Sequence, residues 1–193
     1  MMANRAVFLD RDGVINENLD DDYVKTWDEF VFLPGAIEAI KRLAQSDLYV
    51  IIVSNQAGIN KGIFSIDALD DIHKHMLDEI ETRGGKIKAI YYCQHRDDEN
   101  CECRKPKPGM LYEASKEHNI DLHESYLIGD SIRDIEAGSK AGCITFLVMT
   151  GKGTQELKDR ERWKHCPDYI VPDLSSAVDI ILDCAINSLE TKG

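Results

Sequence analysis

The sequence predicts an α/β fold, a doubly wound and mainly parallel sheet with helices on its faces. Three observations carry that prediction. Apolar runs of strand length recur at residues 7–9, 49–53, 87–92, 126–128, 143–148 and 169–171. Segments with apolar residues at helical spacing alternate with them, which is the pattern of crossover-linked parallel strands. Three of the runs also end in polar groups, at Asp10/Asp12, Ser54/Asn55 and Asp130/Asp134. An open α/β sheet binds its ligands at that carboxyl edge.

Each element follows from local signals. Val7, Phe8 and Leu9 run into Asp10-Arg11-Asp12-Gly13, a short buried strand delivering two acids to its end. Residues 14–33 read as irregular or hairpin-like. They contain the acidic triplet Asp20-Asp21-Asp22, expected to be a solvated turn, and an apolar group from Trp27 to Leu33 that folds back over the strand edge. Pro34-Gly35 punctuates, and Ile37, Ile40, Leu43 and Ala44 predict a helix over 35–45. The continuous apolar run 49–53 is a buried parallel strand. Ser65 is placed as the N-cap of a helix over 66–82. His73 and His75 on that helix are two residues apart, share no face and are read as structural or exposed. Gly84-Gly85 breaks the helix, a strand follows over 87–92, and residues 93–108 form a loop whose Lys105-Pro106-Lys107-Pro108 excludes regular structure. Further helices are expected over 109–118, 131–140 and 174–189, with strands at 126–128, 143–148 and 169–171. Residues 150–166 are charged and carry no clear pattern. Nothing marks a repeat or a boundary, so residues 1–193 are expected to form one domain.

Composition narrows the function. The 193 residues are 43% hydrophobic and 30% charged, the profile of a soluble globular protein. No apolar run approaches the roughly 20 residues of a membrane span, and the start of the chain leaves no room for a signal peptide, so the cytoplasm is expected. A formal net charge of -12 argues against a nucleic-acid partner. It leaves room for a small phosphorylated metabolite, given a divalent metal and a few local cations. A monomer is expected.

On one edge, the strand ends make a coherent site. Asp-x-Asp alone suits a solvated turn, a calcium loop or a glycosyltransferase metal site; the glycine at the fourth position does not fit the calcium loop. Asp10 and Asp130 with an Asp12 oxygen suit six-coordinate magnesium. Ser54 and neighbouring amides can donate to phosphoryl oxygens, and Lys105 supplies positive charge. Asp10 can serve as a carboxylate nucleophile, with Asp12 as acid and then base. Cys93-x-His95 and Cys101-x-Cys103 are two close pairs separated by five residues, a closed four-ligand set of the structural zinc kind. The other cysteines, Cys143, Cys166 and Cys184, are read as core or incidental.

Asp10-Arg11-Asp12-Gly13, Ser54-Asn55-Gln56, Lys105 and Gly129-Asp130-Ser131-x-x-Asp134 resemble the four motifs of the haloacid dehalogenase (HAD) superfamily of phosphatases. The Cys-x-His and Cys-x-Cys-Arg-Lys-Pro pattern is similar to the branch that holds heptose-bisphosphate phosphatases and histidinol-phosphatases. The resemblance implies a HAD-like fold with a zinc loop over 93–108 and no large cap domain. It implies Asp10 as nucleophile, Asp12 as general acid/base, Ser54 and Lys105 as stabilisers of the transferring group, and magnesium on Asp10, Asp130 and the Asp12 carbonyl. Asp134 orients the lysine or a metal water. Substrate contacts are expected from Arg11, Asn18, Tyr23, Asn55, Gln56, Ala57, Lys61 and Arg104, the last taking a second phosphate. The Asn55 to Gly62 stretch leans toward removal of the 7-phosphate of a heptose 1,7-bisphosphate, with histidinol phosphate as the alternative substrate. A non-catalytic zinc-stabilised binding module and a nucleic-acid 3'-phosphatase are the rivals from other classes.

Overall fold

The computed structural model describes residues 3–19 and 22–190, and side chains as far as residue 184. Six strands, β1 (Arg5–Leu9), β2 (Leu48–Asn55), β3 (Ala89–Cys93), β4 (Tyr126–Gly129), β5 (Ile144–Val148) and β6 (Tyr169–Val171), pair in the order β3-β2-β1-β4-β5-β6. Every pairing is parallel. The chain winds outward from β1 to β3, returns to place β4 on the other side of β1, and winds outward again. The strand order therefore reverses between β1 and β4, and a crevice opens there at the carboxyl edge.

The helices are α1 (Ala36–Ala44), α2 (Ile66–Thr82), α3 (Gly109–His118), α4 (Ile132–Ala141), α5 (Gly153–Lys158) and α6 (Leu174–Glu190). Strand alternation sends Val7, Leu9, Val50 and Ile52 to one face of the sheet, where Ile40, Leu43, Ile72, Met76, Val178 and Ile181 of α1, α2 and α6 cover them. Ala6, Phe8, Ile51 and Val53 point the other way, onto Met110, Leu111, Ala114 and Ala137 of α3 and α4. Burial on both faces is why β1 and β2 read as unbroken apolar runs.

The expected elements are present, with ends displaced by a residue or two. Ser65 caps α2 by accepting from the Ala68 amide. The stretch after β1 does return as a hairpin: Leu33 donates to the Ile15 carbonyl and Glu17 to that of Val31. Trp27, Phe30 and Phe32 pack on one another at its base. The expected turn at Asp20 and Asp21 lies outside the described residues. Residues 56–65, between β2 and α2, form only a loop, so no domain is inserted there. The patternless segment 150–166 contains α5 and a 3-10 turn at Arg160–Arg162. Among the described residues, no helix is long and apolar enough to cross a membrane.

Candidate active site

A cavity of about 420 Å³ opens at the β1/β4 crevice. Its floor is built from strand ends. Asp10 follows β1, Ser54 and Asn55 end β2, and Asp130 follows β4. Lys105 reaches in from the loop after β3, and Asp134 from the first turn of α4. Asp134 also closes a capping box on α4, accepting from the Ser131 amide.

Lys105 is the centre of this floor. The residue is only 2% exposed, and its ammonium lies 2.9 Å from Asp10 Oδ1, 2.6 Å from Asp134 Oδ1 and 2.8 Å from the Val53 carbonyl it donates to. Burial alone would lower its pKa, but the charges of Asp10 and Asp134 outweigh burial and hold it above the usual lysine range. Asn55 fixes the lysine backbone from both sides, donating to the Lys105 carbonyl and accepting from its amide at 3.1 Å each. Asn55, expected to meet substrate, thus spends its amide group on positioning Lys105.

Asp10, Asp130 and Asp134 offer oxygens that all lie within 4.8 Å of one another. Burial raises Asp10 to about 7 against the pull of Lys105, and burial with the charges of Asp10 and Asp134 raises Asp130 well above its ordinary value. Three carboxylates, two of them buried, gathered about one ammonium leave an excess negative charge that a hard divalent cation neutralises. Two glycines allow this crowding. A Cβ on Gly13, at φ +86°, would fall 2.0 Å from Asp130 Oδ2, and one on Gly151 would fall 2.1 Å from the same atom. The donor set and its glycine cradle fit a magnesium ion.

Asp12 lines the cavity, but its carboxylate stands outside the three-acid group. Arg11 grips it with Nε and Nη2, Asn16 donates to Oδ1 and Gln56 donates to Oδ2. Burial pushes the Asp12 carboxyl upward, yet the Arg11 charge and these hydrogen bonds outweigh it and hold the pKa below the usual value. Three residues expected to contact substrate, Arg11, Gln56 and Ala57, are buried and outside the cavity lining. The Arg11 side chain is fully buried and pairs with Asp12. Gln56 is buried too, bridging Asp12 and the Ser54 hydroxyl. Ala57 is buried and outside the cavity lining.

The upper wall gathers Asn18, Tyr23, Lys61 and Arg104 together with Asp97, Ser131, Arg133, Lys152 and Glu156. Lys61 donates to the Tyr23 hydroxyl at 3.1 Å and lies over its ring. Lys152 and Glu156 come from the segment that carried no sequence pattern. It is anchored by the Thr150 hydroxyl on the Gly13 carbonyl and by the Lys152 amide on Asp130 Oδ2. Only the run of polar residues directly after β5 hinted at this contact. Beside the cavity, the donor atoms of Cys93, His95, Cys101 and Cys103 lie within 4.8 Å of one another. Three thiols and an imidazole so clustered fit a closed structural zinc site.

The haloacid dehalogenase-like hydrolase profile matches residues 1–139, well over half of the chain. The chain belongs to the haloacid dehalogenase-like hydrolase family. A HAD-hydrolase-like profile also matches residues 102–177. A D-glycero-beta-D-manno-heptose-1,7-bisphosphate 7-phosphatase of Pseudomonas aeruginosa is 42% identical over 81% of this chain and 87% of its own. A relative of the same name from Neisseria meningitidis is 36% identical over 93% and 91%. The solved structure of the D,D-heptose 1,7-bisphosphate phosphatase of B. bronchiseptica, complexed with magnesium and phosphate, superposes with a TM-score of 0.86 at 37% identity, covering 93% of this chain and 98% of that one. With family and relatives in agreement, this HAD-family chain is a phosphoric monoester hydrolase.

Proposed function

We propose that this HAD-family enzyme removes the 7-phosphate of D-glycero-β-D-manno-heptose 1,7-bisphosphate, with magnesium at the three-carboxylate floor and a phosphorylated Asp10 as intermediate. The observation that carries the reading is the placement of Asp10 at the cavity floor, with its Oδ1 taken by the Lys105 ammonium and the Arg11 amide. The names of the relatives point to the substrate.

Asp10 attacks the 7-phosphorus, and the bond from phosphorus to the sugar oxygen breaks. Lys105 and the Ser54 hydroxyl stabilise charge on the transferring group. Asp12 gives a proton to the departing sugar oxygen. It then takes one from the water that attacks the phosphorylated Asp10, releasing phosphate and restoring the carboxylate. In the free enzyme the grip of Arg11, Asn16 and Gln56 keeps Asp12 ionised, the form the second half needs. An incoming phosphate dianion raises its proton affinity for the first half. Asp10, Asp130 and the Asp12 carbonyl would hold a magnesium ion, which would supply charge neutralisation between carboxylate and phosphate. Cys93, His95, Cys101 and Cys103 would hold a zinc ion, which would fix the loop from which Arg104 and Lys105 project.

The test is magnesium-dependent phosphate release from heptose 1,7-bisphosphate against histidinol phosphate, with Asp10→Asn as blank. A strong preference for the heptose supports the reading. A preference for histidinol phosphate keeps the chemistry and overturns the substrate.

A further inference from the structure

Asp97 joins the two arginines of the cavity wall, and neither the sequence motifs nor the catalytic steps account for it. It stands on a 3-10 turn at Asp97–Glu99 inside the cysteine-rich loop. Arg104 Nε donates to its Oδ1 at 2.5 Å, and Arg133 donates with Nη1 to Oδ1 at 2.9 Å and with Nη2 to Oδ2 at 3.3 Å. All three side chains line the same cavity as Asp10. Two guanidinium groups converging on one planar anion is the geometry of a phosphate seat. Here a carboxylate from the chain itself sits in it.

The backbone of each arginine is placed independently of Asp97, while the guanidinium of each pairs with it. Arg104 is 15% exposed and follows a cysteine of the metal-binding set, while Arg133 rises from the first turn of α4. Asp97 is 63% exposed, and its turn is tied down separately, by Glu99 accepting from Asn60 and from the Arg96 amide. Arg104 Nη1 is buried and has no partner among the described residues, so one donor of the pair is unused while Asp97 occupies the seat.

We propose that Asp97 is a resident counter-anion in a two-arginine seat for the phosphate that the enzyme does not cleave, and that it is a specificity-determining residue. The proposal rests on the bisphosphatase reading and deepens it. A carboxylate monoanion holds the seat against other monoanions. A phosphomonoester dianion carries more charge and more acceptor oxygens, and it displaces Asp97. The product keeps that second phosphate and would otherwise leave as slowly as substrate. Return of Asp97 to the arginines favours its departure.

The experiment measures KM for heptose 1,7-bisphosphate and the inhibition constant of the heptose 1-phosphate product in Asp97→Asn. Heptose 7-phosphate, which lacks the second phosphate, is the comparison substrate. Removing an exposed competing carboxylate lowers the first two constants about three- to fivefold, the scale of a surface ion pair. The preference for bisphosphate over monophosphate widens by the same factor. Arg133→Met moves KM for the bisphosphate in the opposite direction. An unchanged or raised KM in Asp97→Asn, with the unsubstituted protein active on the bisphosphate, overturns the role of Asp97 and leaves the bisphosphatase reading standing. No turnover of the bisphosphate by the unsubstituted protein overturns both.

Discussion

Replacing Lys105 by methionine removes the buried ammonium that pairs with Asp10 and Asp134. Methionine keeps the length and the apolar stem, and it donates nothing. The lost contacts are those at 2.6 Å to Asp134, 2.9 Å to Asp10 and 2.8 Å to the Val53 carbonyl. Breaking a buried pair by deleting one partner costs about 3–5 kcal/mol, because the other charge is left uncompensated. In a chain of this size each kcal/mol moves Tm by about 2–4 °C, so melting in EDTA falls by about 6–20 °C. Phosphate release at saturating magnesium falls by about 10²–10³-fold in kcat, the effect of losing one donor aimed at the reacting group. The double variant Lys105→Met/Asp134→Asn separates the two roles. It removes an orphaned carboxylate while the new carboxamide oxygen still accepts from the Ser131 amide, so it regains much of the lost Tm and none of the activity. Calorimetry and a phosphate-release assay read both quantities. An unchanged Tm in the single variant, or a double variant that melts below it, would refute the reasoning.

Gly13→Ala places a Cβ 2.0 Å from Asp130 Oδ2 at φ +86°. The left-handed backbone alone costs about 1–2 kcal/mol, and displacement of Asp130 shifts the magnesium dependence of kcat to higher concentration; an unmoved magnesium titration counts against the cradle. Atomic absorption is expected to find zinc bound to the purified chain. Cys101→Ser loses it, with kcat down about 10–100-fold because Arg104 and Lys105 follow directly on Cys103; full activity without zinc would dismiss the role of the loop. His73 is buried, and burial together with the Arg11 charge lowers its pKa from 6.5 to about 4. The unfolded chain therefore binds the extra proton between those values. His73 contributes stability that is fully present above 6.5 and lost as pH falls toward 4, by about 3 kcal/mol. Denaturation midpoints of His73→Phe should fall less steeply over that window; parallel curves would assign the slope elsewhere.

The fold was legible because β1, β2, β4 and β5 are largely buried and so appear as apolar runs, punctuated by Gly84-Gly85 and Pro34-Gly35. The floor of the site was legible for a related reason: Asp10, Ser54 and Asp130 sit at strand ends, where sequence position and spatial position coincide. The burial of Arg11 and Gln56 was not legible, because it depends on the partners Asp12 and Ser54 that the fold brings to them. A charged residue beside Asp12 looks like a ligand contact until the Asp12 carboxylate is seen to use it as a buried counter-ion. Lys152, Glu156 and Arg133 escaped because they reach the cavity through the packing of α4 and α5 over the crevice, which no periodicity records. Asp97 escaped because an acid in a polar loop differs from its neighbours only through the two arginines brought to it.

The central claim is that Asp10 takes the phosphate from one end of a bisphosphate while the other is kept. The most direct measurement is phosphorus NMR of heptose 1,7-bisphosphate incubated with the enzyme and magnesium. The account predicts that the C7 phosphate signal is replaced by inorganic phosphate while the anomeric C1 phosphate persists. Loss of the anomeric signal first, or no change in either, would contradict it.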